Sequence, residues 1–328
     1  MRITASSSLG ARWTATAVAV SCLLSVGGTT STAHAFSGEN HEKITRKALS
    51  SWEPKSLKSM AFQGATLFSD HGAIIANDKG DYFQDGTLHC DNADYLAPKY
   101  AQRYPRTREQ ANDEIIACVR GALSRFNKAV AAADRLVDAQ GKVLPKQVNL
   151  NSPCNWNDQP GRAKCDVYEH LGRAWHPIED FYAHSNWTDS PHPYEIGVYN
   201  PPGLNRQTLP EFFSLHRYSS MSEQRWVKDA TRHIPNDLST GCYPNKDSTG
   251  HVSNCNGRIL HDGALSKDTL GDRRSGIHSN FSNASDMAIK DIERQWRDFK
   301  DALRKRYNDR AAPMICALTH DNPATKCN

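Results

Sequence analysis

The chain has 328 residues, and its 40 Lys and Arg nearly balance 36 Asp and Glu. It has no basic run or stripe, so it lacks the electrostatic footprint of a nucleic-acid binder. Its longest apolar run, Ala15 to Val26, is too short and too interrupted by Ser and Thr to cross a bilayer.

That run belongs instead to a start that reads as an export signal. Arg2 and Arg12 supply the positive end, and Ala33-His34-Ala35 gives the small-x-small pattern cut by signal peptidase. Cleavage after Ala35 leaves 328 − 35 = 293 residues beginning at Phe36, enough for one large domain or two small ones. The charge becomes 38 basic against 36 acidic residues (40 − 2 arginines), a formal +2. Of nine Cys, Cys22 lies in the signal and eight remain. An even count in an exported chain reads as disulfides rather than metal thiolates. Cys154–Cys165, Cys242–Cys255 and Cys316–Cys327 are close enough to staple local loops, which would leave Cys90 and Cys118, although sequence alone cannot choose among the pairings.

After Phe36, Asn40 can cap a helix beginning at His41, with Ile44, Ala48 and Leu49 on one face. Residues 66–95 are turn-rich, crowded with Asp, and carry His71 and His89. Glu109 to Ala139 is a predicted helix, with Ile115, Val119, Leu123, Phe126 and Val130 at three- and four-residue spacing. A polar loop over 149–164 precedes LGRAWHPIEDFYAHSNWTD, residues 171–189. From Ser185 to Gly276 periodicity fades apart from a helix near Ser222 to Arg232; composition leaves open a set of substrate-facing loops or a small irregular lobe. Ser282 to Arg310 is a second long helix with Met287, Ile292, Trp296, Phe299 and Leu303 in one stripe. No alternating strand pattern occurs, and the fold class is all-α.

Within 171–189, His176, Asp180 and His184 are four residues apart, twice over. Each step of four advances about 40° around a helix, so the three side chains share a face, and the two His lie roughly 12 Å apart along the axis. One ion cannot reach both. A central carboxylate can bridge two ions with an imidazole serving each, which predicts a cluster of metals. A lone His on a helix is more often structural, but here the neighbouring face (Leu171, Trp175, Ile178, Tyr182) is apolar and places the trio at the edge of a core. Pro177 removes one backbone hydrogen bond and favours a kink.

These blocks together resemble the zinc-dependent phospholipase C family and its relatives, the single-strand-specific zinc nucleases. The similarity is to the exported bacterial branch related to heterokaryon-incompatibility proteins. HPIEDFYAHSNW resembles that branch's signature block, FSGENH its N-terminal segment, LHCDNAD its second His block and GIHSNFSNASDMAIKDI its last one. The blocks occur in the family's order and span most of the chain after Phe36.

The resemblance implies a helical phosphoesterase with up to three Zn²⁺. His41 with the α-amine and carbonyl of Phe36 would hold one; Asp180 would bridge it to a second held by Asp81, His89 and His176; His184 and His278 would hold a third. Asp78 is the alternative to Asp81, which is preferred because IANDKGD resembles the branch's pattern of Asn followed four residues later by Asp. Asp180 and His184 are separated by three residues where the phospholipases and nucleases have five. Ser282 stands where the family has a carboxylate, so Asp268 or His261 would complete the third site. Asp81, Asp180 and Glu39 carry the implied catalytic roles, with Glu39 lining a headgroup pocket. Tyr182, Trp187 and Tyr194 could cage a choline by cation–π contact. The implied substrate is a phosphatidylcholine-like phospholipid at a membrane surface, cut to diacylglycerol and a phosphorylated headgroup by a secreted enzyme. No stable protein partner is implied. The alternatives are a zinc nuclease or 3′-nucleotidase, and a non-catalytic membrane-binding relative.

Overall fold

The computed structural model describes residues 36–64 and 70–328; the expected export signal lies outside them. Seven helices of eight residues or more carry the fold: α1 (Gly38–Ala48), α2 (Pro54–Ala61), α3 (Arg108–Ala132), α4 (Ala163–His184), α5 (Glu223–Arg232), α6 (Asn280–Tyr307) and α7 (Ala311–Thr319). Among the described residues there are isolated β-bridges but no strand, in keeping with the all-α expectation. No described helix is long and apolar enough to cross a membrane.

The two long helices follow their hydrophobic periods. In α3, Ile115, Val119, Leu123, Phe126 and Val130 are all buried, and in α6 so are Met287, Ile292, Trp296, Phe299 and Leu303. A reciprocal cap starts α3: Thr107 Oγ1 accepts from Gln110 N at 3.1 Å, and Gln110 Oε1 accepts from Thr107 N at 2.9 Å. It ends earlier than the pattern suggests, passing at Ala133–Leu136 into a 3₁₀ turn. Helix α1 begins at Gly38, ahead of the expected cap, because the Asn40 side chain is engaged elsewhere: its Nδ2 donates to Asp268 O at 2.7 Å.

Helix α4 is the axis of the molecule. It packs against α3, α6 and the 3₁₀ turn Ala73–Asp78, and every residue in it except His170 is buried. Each large apolar side chain so enclosed, such as Trp175, Ile178 and Phe181, contributes about 1.5–3 kcal/mol. That sum lets the helix also carry buried His, Asp and Glu.

Pro177 sits inside α4 without ending it. Proline leaves the carbonyl four residues back, that of Arg173, without its helical donor. Asn77 supplies the replacement, its Nδ2 donating to Arg173 O at 3.3 Å while its Oδ1 accepts from Arg173 Nη1 at 3.1 Å. The proline therefore docks the 73–78 turn onto the helix. Gly172 brings the two still closer, since a Cβ there would lie 2.4 Å from the Ala73 carbonyl.

The eight cysteines pair as Cys90–Cys118, Cys154–Cys165, Cys242–Cys255 and Cys316–Cys327. Four disulfides are the signature of an oxidising compartment. Cys242–Cys255 braces the irregular 185–276 region, whose Ile259, Ala264 and Leu265 form a small satellite core with Leu96.

Lys164, at the start of α4, is fully enclosed and donates from Nζ to Ser56 Oγ at 3.0 Å and His320 O at 2.6 Å. Burial pulls its ammonium from the ordinary 10.5 down to about 7, against the weaker pull of Asp321 and Glu53. Between those two pH values the unfolded chain binds the proton and the folded chain does not, so stability rises with pH through this window. Relative to Lys164→Met, the native protein is expected to gain on the order of 4 kcal/mol between pH 7 and 10. Urea denaturation of both across this range measures the difference, and parallel curves would show that Lys164 keeps its proton when buried.

A candidate metal centre on helix α4

His176, Asp180 and His184 emerge from one side of α4, and other segments close around them. The 73–78 turn brings Asp78, the following turns bring His89 and Asp91, α1 brings His41, and the 261–268 segment brings His261 and Asp268. All nine side chains are buried.

Three groups have donor atoms mutually within 4.8 Å, close enough to hold a metal ion: His41, His176 and Asp180; Asp78, His89 and His176; and Asp91, His184 and His261. Asp180 stands between the first two. Its Oδ1 is 3.0 Å from His41 Nε2, and its Oδ2 is 2.9 Å from His89 Nδ1 and 3.0 Å from His176 Nε2. Asp78 Oδ1 lies 3.3 Å from His176 Nε2 and 3.9 Å from His89 Nδ1. In the third group His184 Nδ1 is 2.9 Å from Asp91 Oδ1, while its Nε2 is 3.4 Å from Asp268 Oδ1. Asp268 Oδ2 is in turn 3.8 Å from His261 Nε2.

The outer atoms of these imidazoles are held by the protein, which fixes the face each ring turns inward. His176 Nδ1 donates to Ile74 O at 2.8 Å. His41 Nδ1 is held by Glu179 Oε2 at 2.6 Å, and Glu179 Oε1 accepts from Thr45 Oγ1 at 2.8 Å. His261 Nδ1 faces Asp262 Oδ1 at 2.8 Å. Backbone contacts fix the third group: Lys267 N donates to Ala183 O at 3.1 Å, and His261 N to Cys242 O at 2.9 Å. A Cβ at Gly241 would come within 2.2 Å of His261 Cα, so these segments touch through bare backbone.

Of the 16 buried side-chain polar atoms without a hydrogen-bond partner among the described residues, seven are here: His41 Nε2, Asp78 Oδ1, His89 Nε2, Asp91 Oδ1, Asp180 Oδ1, His184 Nε2 and Asp268 Oδ1. Buried polar groups are otherwise almost always satisfied. His41 Nε2 and Asp180 Oδ1 lie 3.0 Å apart, yet neither completes a hydrogen bond. Such an arrangement suits lone pairs that converge on a cation.

The electrostatics make the same demand. Burial and His176 push His41 down, but Asp180 and Glu179 outweigh them and hold it up to about 9. Burial likewise opposes protonation of His176 and His184, and their neighbouring carboxylates hold both well above the usual range. Asp78 is held down to about 2, and Asp180 well below its ordinary value, by the imidazoles around them despite burial. The carboxylates thus call for positive charge, which metal ions and protons compete to supply.

Several expected site residues lie elsewhere. Asp81 is exposed on the next turn, and Asp78 occupies the place beside His176. The docking of Asn77 on the Pro177 gap fixes this, because it turns the adjacent residue inward. His278 is exposed, 6.4 Å from the His192 ring, while His261 and Asp268 flank His184. Glu39 points to solvent and pairs with Lys43 at 2.6 Å. Tyr182 and Trp187 are core residues, bonded to Asp291 and to Thr208 O, so they form no cage with the exposed Tyr194. Phe36 is buried, with its ring edge-on to His41 at 6.0 Å. Asp91, Glu179 and the choice of His261 escaped the sequence. Asp91 is flanked by Cys90 and Asn92, both non-glycine residues at positive φ, a conformation that residue type does not announce. A further group, Cys316, His320 and Cys327, is unsuited to a metal because its two sulfurs are joined to each other.

His261→Ala is accordingly expected to lower bound metal by about one ion per chain, and His278→Ala to leave metal content unchanged. Elemental analysis of the two variants decides, and the reverse pattern would restore His278 to the site. Comparison of the chain with protein-family models, with curated proteins and with solved structures finds no match.

Proposed function

We propose that the chain is a secreted zinc-dependent phosphodiester hydrolase of the phospholipase C type. The observation that carries this reading is the gathering of three buried His/Asp groups around one helix, two of them linked through His176 and Asp180 and the third adjoining them where His184 Nδ1 lies 3.2 Å from His89 O. Donors limited to imidazole nitrogen and carboxylate oxygen suit Zn²⁺ among biological cations, without excluding its neighbours. His41, His176 and Asp180 would hold one ion; Asp78 and His89, with Asp180 and His176 between them, a second; Asp91, His184, His261 and Asp268 the third. Ions so placed supply Lewis-acid activation of water and neutralise charge on a phosphoryl group.

The chain's own residues do the rest. A narrow opening of ≈10 Å³ reaches the cluster between Phe83, His89, Asp91, His184, Tyr243 and His261. Asp91 is the only acidic side chain among the described residues that lines it, and its Oδ1 lies 2.9 Å from His184 Nδ1. Asp91, through whichever carboxylate oxygen is not engaged with the third ion, would accept the proton of an attacking water. Glu179 and the Ile74 carbonyl keep His41 and His176 turned inward throughout, so the cluster does not reorganise during the reaction. Hydrolysis at the glycerol side of a phospholipid would give diacylglycerol and a phosphorylated headgroup.

The test is to compare phospholipid vesicles with single-stranded DNA in one preparation of known metal content. Diacylglycerol release that disappears on chelation and returns with Zn²⁺ supports the reading. Cleavage of DNA without lipid hydrolysis would make the protein a nuclease, and full metal content with neither activity a binding module.

A further inference from the structure

The His261–Leu265 segment borders two sites. His261 belongs to the third metal-binding group, while Gly263 and Ala264 line a separate cavity of ≈210 Å³. His261 and Gly263 are two residues apart, so their Cα atoms are at most about 7.6 Å apart. The cavity's titratable lining consists of His192, Tyr194, Tyr199, Arg273 and Arg274, with no acidic side chain. Arg274 is committed: Nε donates to Asp189 at 2.7 Å, Nη1 to Asn200 at 3.0 Å and Nη2 to Pro201 O at 3.0 Å. Arg273 is exposed and has no hydrogen-bond or ion-pair partner among the described residues. The His278 ring lies 6.4 Å from that of His192. Desolvation first, then the nearby Arg274, His278 and Arg273, keep His192 below its ordinary pKa.

We infer that this cavity receives a negatively charged group on the lipid headgroup, a phosphomonoester or a carboxylate, while the diester lies at the metal-binding groups. The inference rests on the phospholipase reading and names its substrate class: headgroups with an anion beyond the diester phosphate rather than choline. A free guanidinium offers a fork of donors that matches phosphate or carboxylate oxygens. Tyr194 and Tyr199 add hydroxyls at the rim. A quaternary ammonium would meet the free guanidinium of Arg273 without the closed aromatic cage that could hold it.

The experiment uses the mature, zinc-loaded protein and vesicles of phosphatidylcholine, with or without phosphatidylinositol 4-phosphate. Retention on the doped vesicles is expected to be about tenfold tighter, as one charge-assisted contact provides. Arg273→Glu is expected to abolish that preference. Arg304→Glu, at the far end of α6, is expected to keep it and so controls for general charge. Equal retention on both vesicles, or a preference that survives Arg273→Glu, overturns the inference. So does calorimetric binding of inorganic phosphate that is lost in Arg273→Glu while vesicle retention is unaffected, since the cavity would then take free phosphate only. Turnover separates the two readings. Lipid hydrolysis with no preference for the anionic headgroup sinks the inference alone; anionic retention dependent on Arg273 without any hydrolysis sinks the phospholipase reading and leaves the cavity as an anion site.

Discussion

Asp180→Asn is expected to remove at least one metal ion per chain and reduce activity by roughly a thousandfold, the several kcal/mol that metal ions contribute to such a transition state. Asparagine keeps the shape of the side chain but not its charge. In the native protein both carboxylate oxygens are in use, Oδ1 toward His41 and Oδ2 toward His89 and His176, and the residue is completely buried. An amide would present an N–H to one of these imidazoles and remove the negative charge that would help hold metal ions at both groups. The four disulfides and the packing of α4 keep the variant folded, so circular dichroism is expected to be unchanged while metal content falls. An Asp180→Asn protein with full metal and normal turnover would refute the bridging role.

Residues added ahead of Phe36 are expected to cost about one zinc and most of the activity. An amine is a zinc ligand only when free and neutral; within a peptide bond its lone pair is delocalised into the amide. The fold brings Phe36 to the cluster. Ser37 N and Asn40 Nδ2 both donate to the carbonyl of Asp268, at 3.2 and 2.7 Å, and Phe36 packs against His41 and Phe281. Metal assembly would then be coupled to removal of the export signal. The comparison is between a chain with a free Phe36 and one carrying a short extension, each loaded with zinc, followed by proteolytic trimming of the second. Trimming should restore both metal and turnover. Equal zinc and equal turnover before trimming would make Phe36 a packing residue and nothing more.

Much of this was legible in the sequence where the rule was local. The i, i+4, i+8 spacing placed His176, Asp180 and His184 on one helix face, the apolar stripes of α3 and α6 gave their buried sides, and short separations matched three of the four disulfides. The failures were tertiary. Pro177 suggests a kink, but Asn77, a hundred residues earlier, fills the gap the proline leaves, and that contact selects Asp78 over Asp81. His261 reaches the cluster through its backbone bond to Cys242 and the bare backbone of Gly241, neither of which leaves a periodic trace. His278 sits at the start of α6 in a left-handed conformation that turns it out to the rim of the basic cavity.

Anomalous diffraction at the zinc edge from crystals of the mature protein tests most directly whether α4 carries a three-metal centre. Three peaks are predicted, one among His41, His176 and Asp180, one among Asp78, His89 and His176, and one among Asp91, His184 and His261. Crystals grown with zinc that give no peak at these groups, or a single peak elsewhere on the surface, would contradict the account.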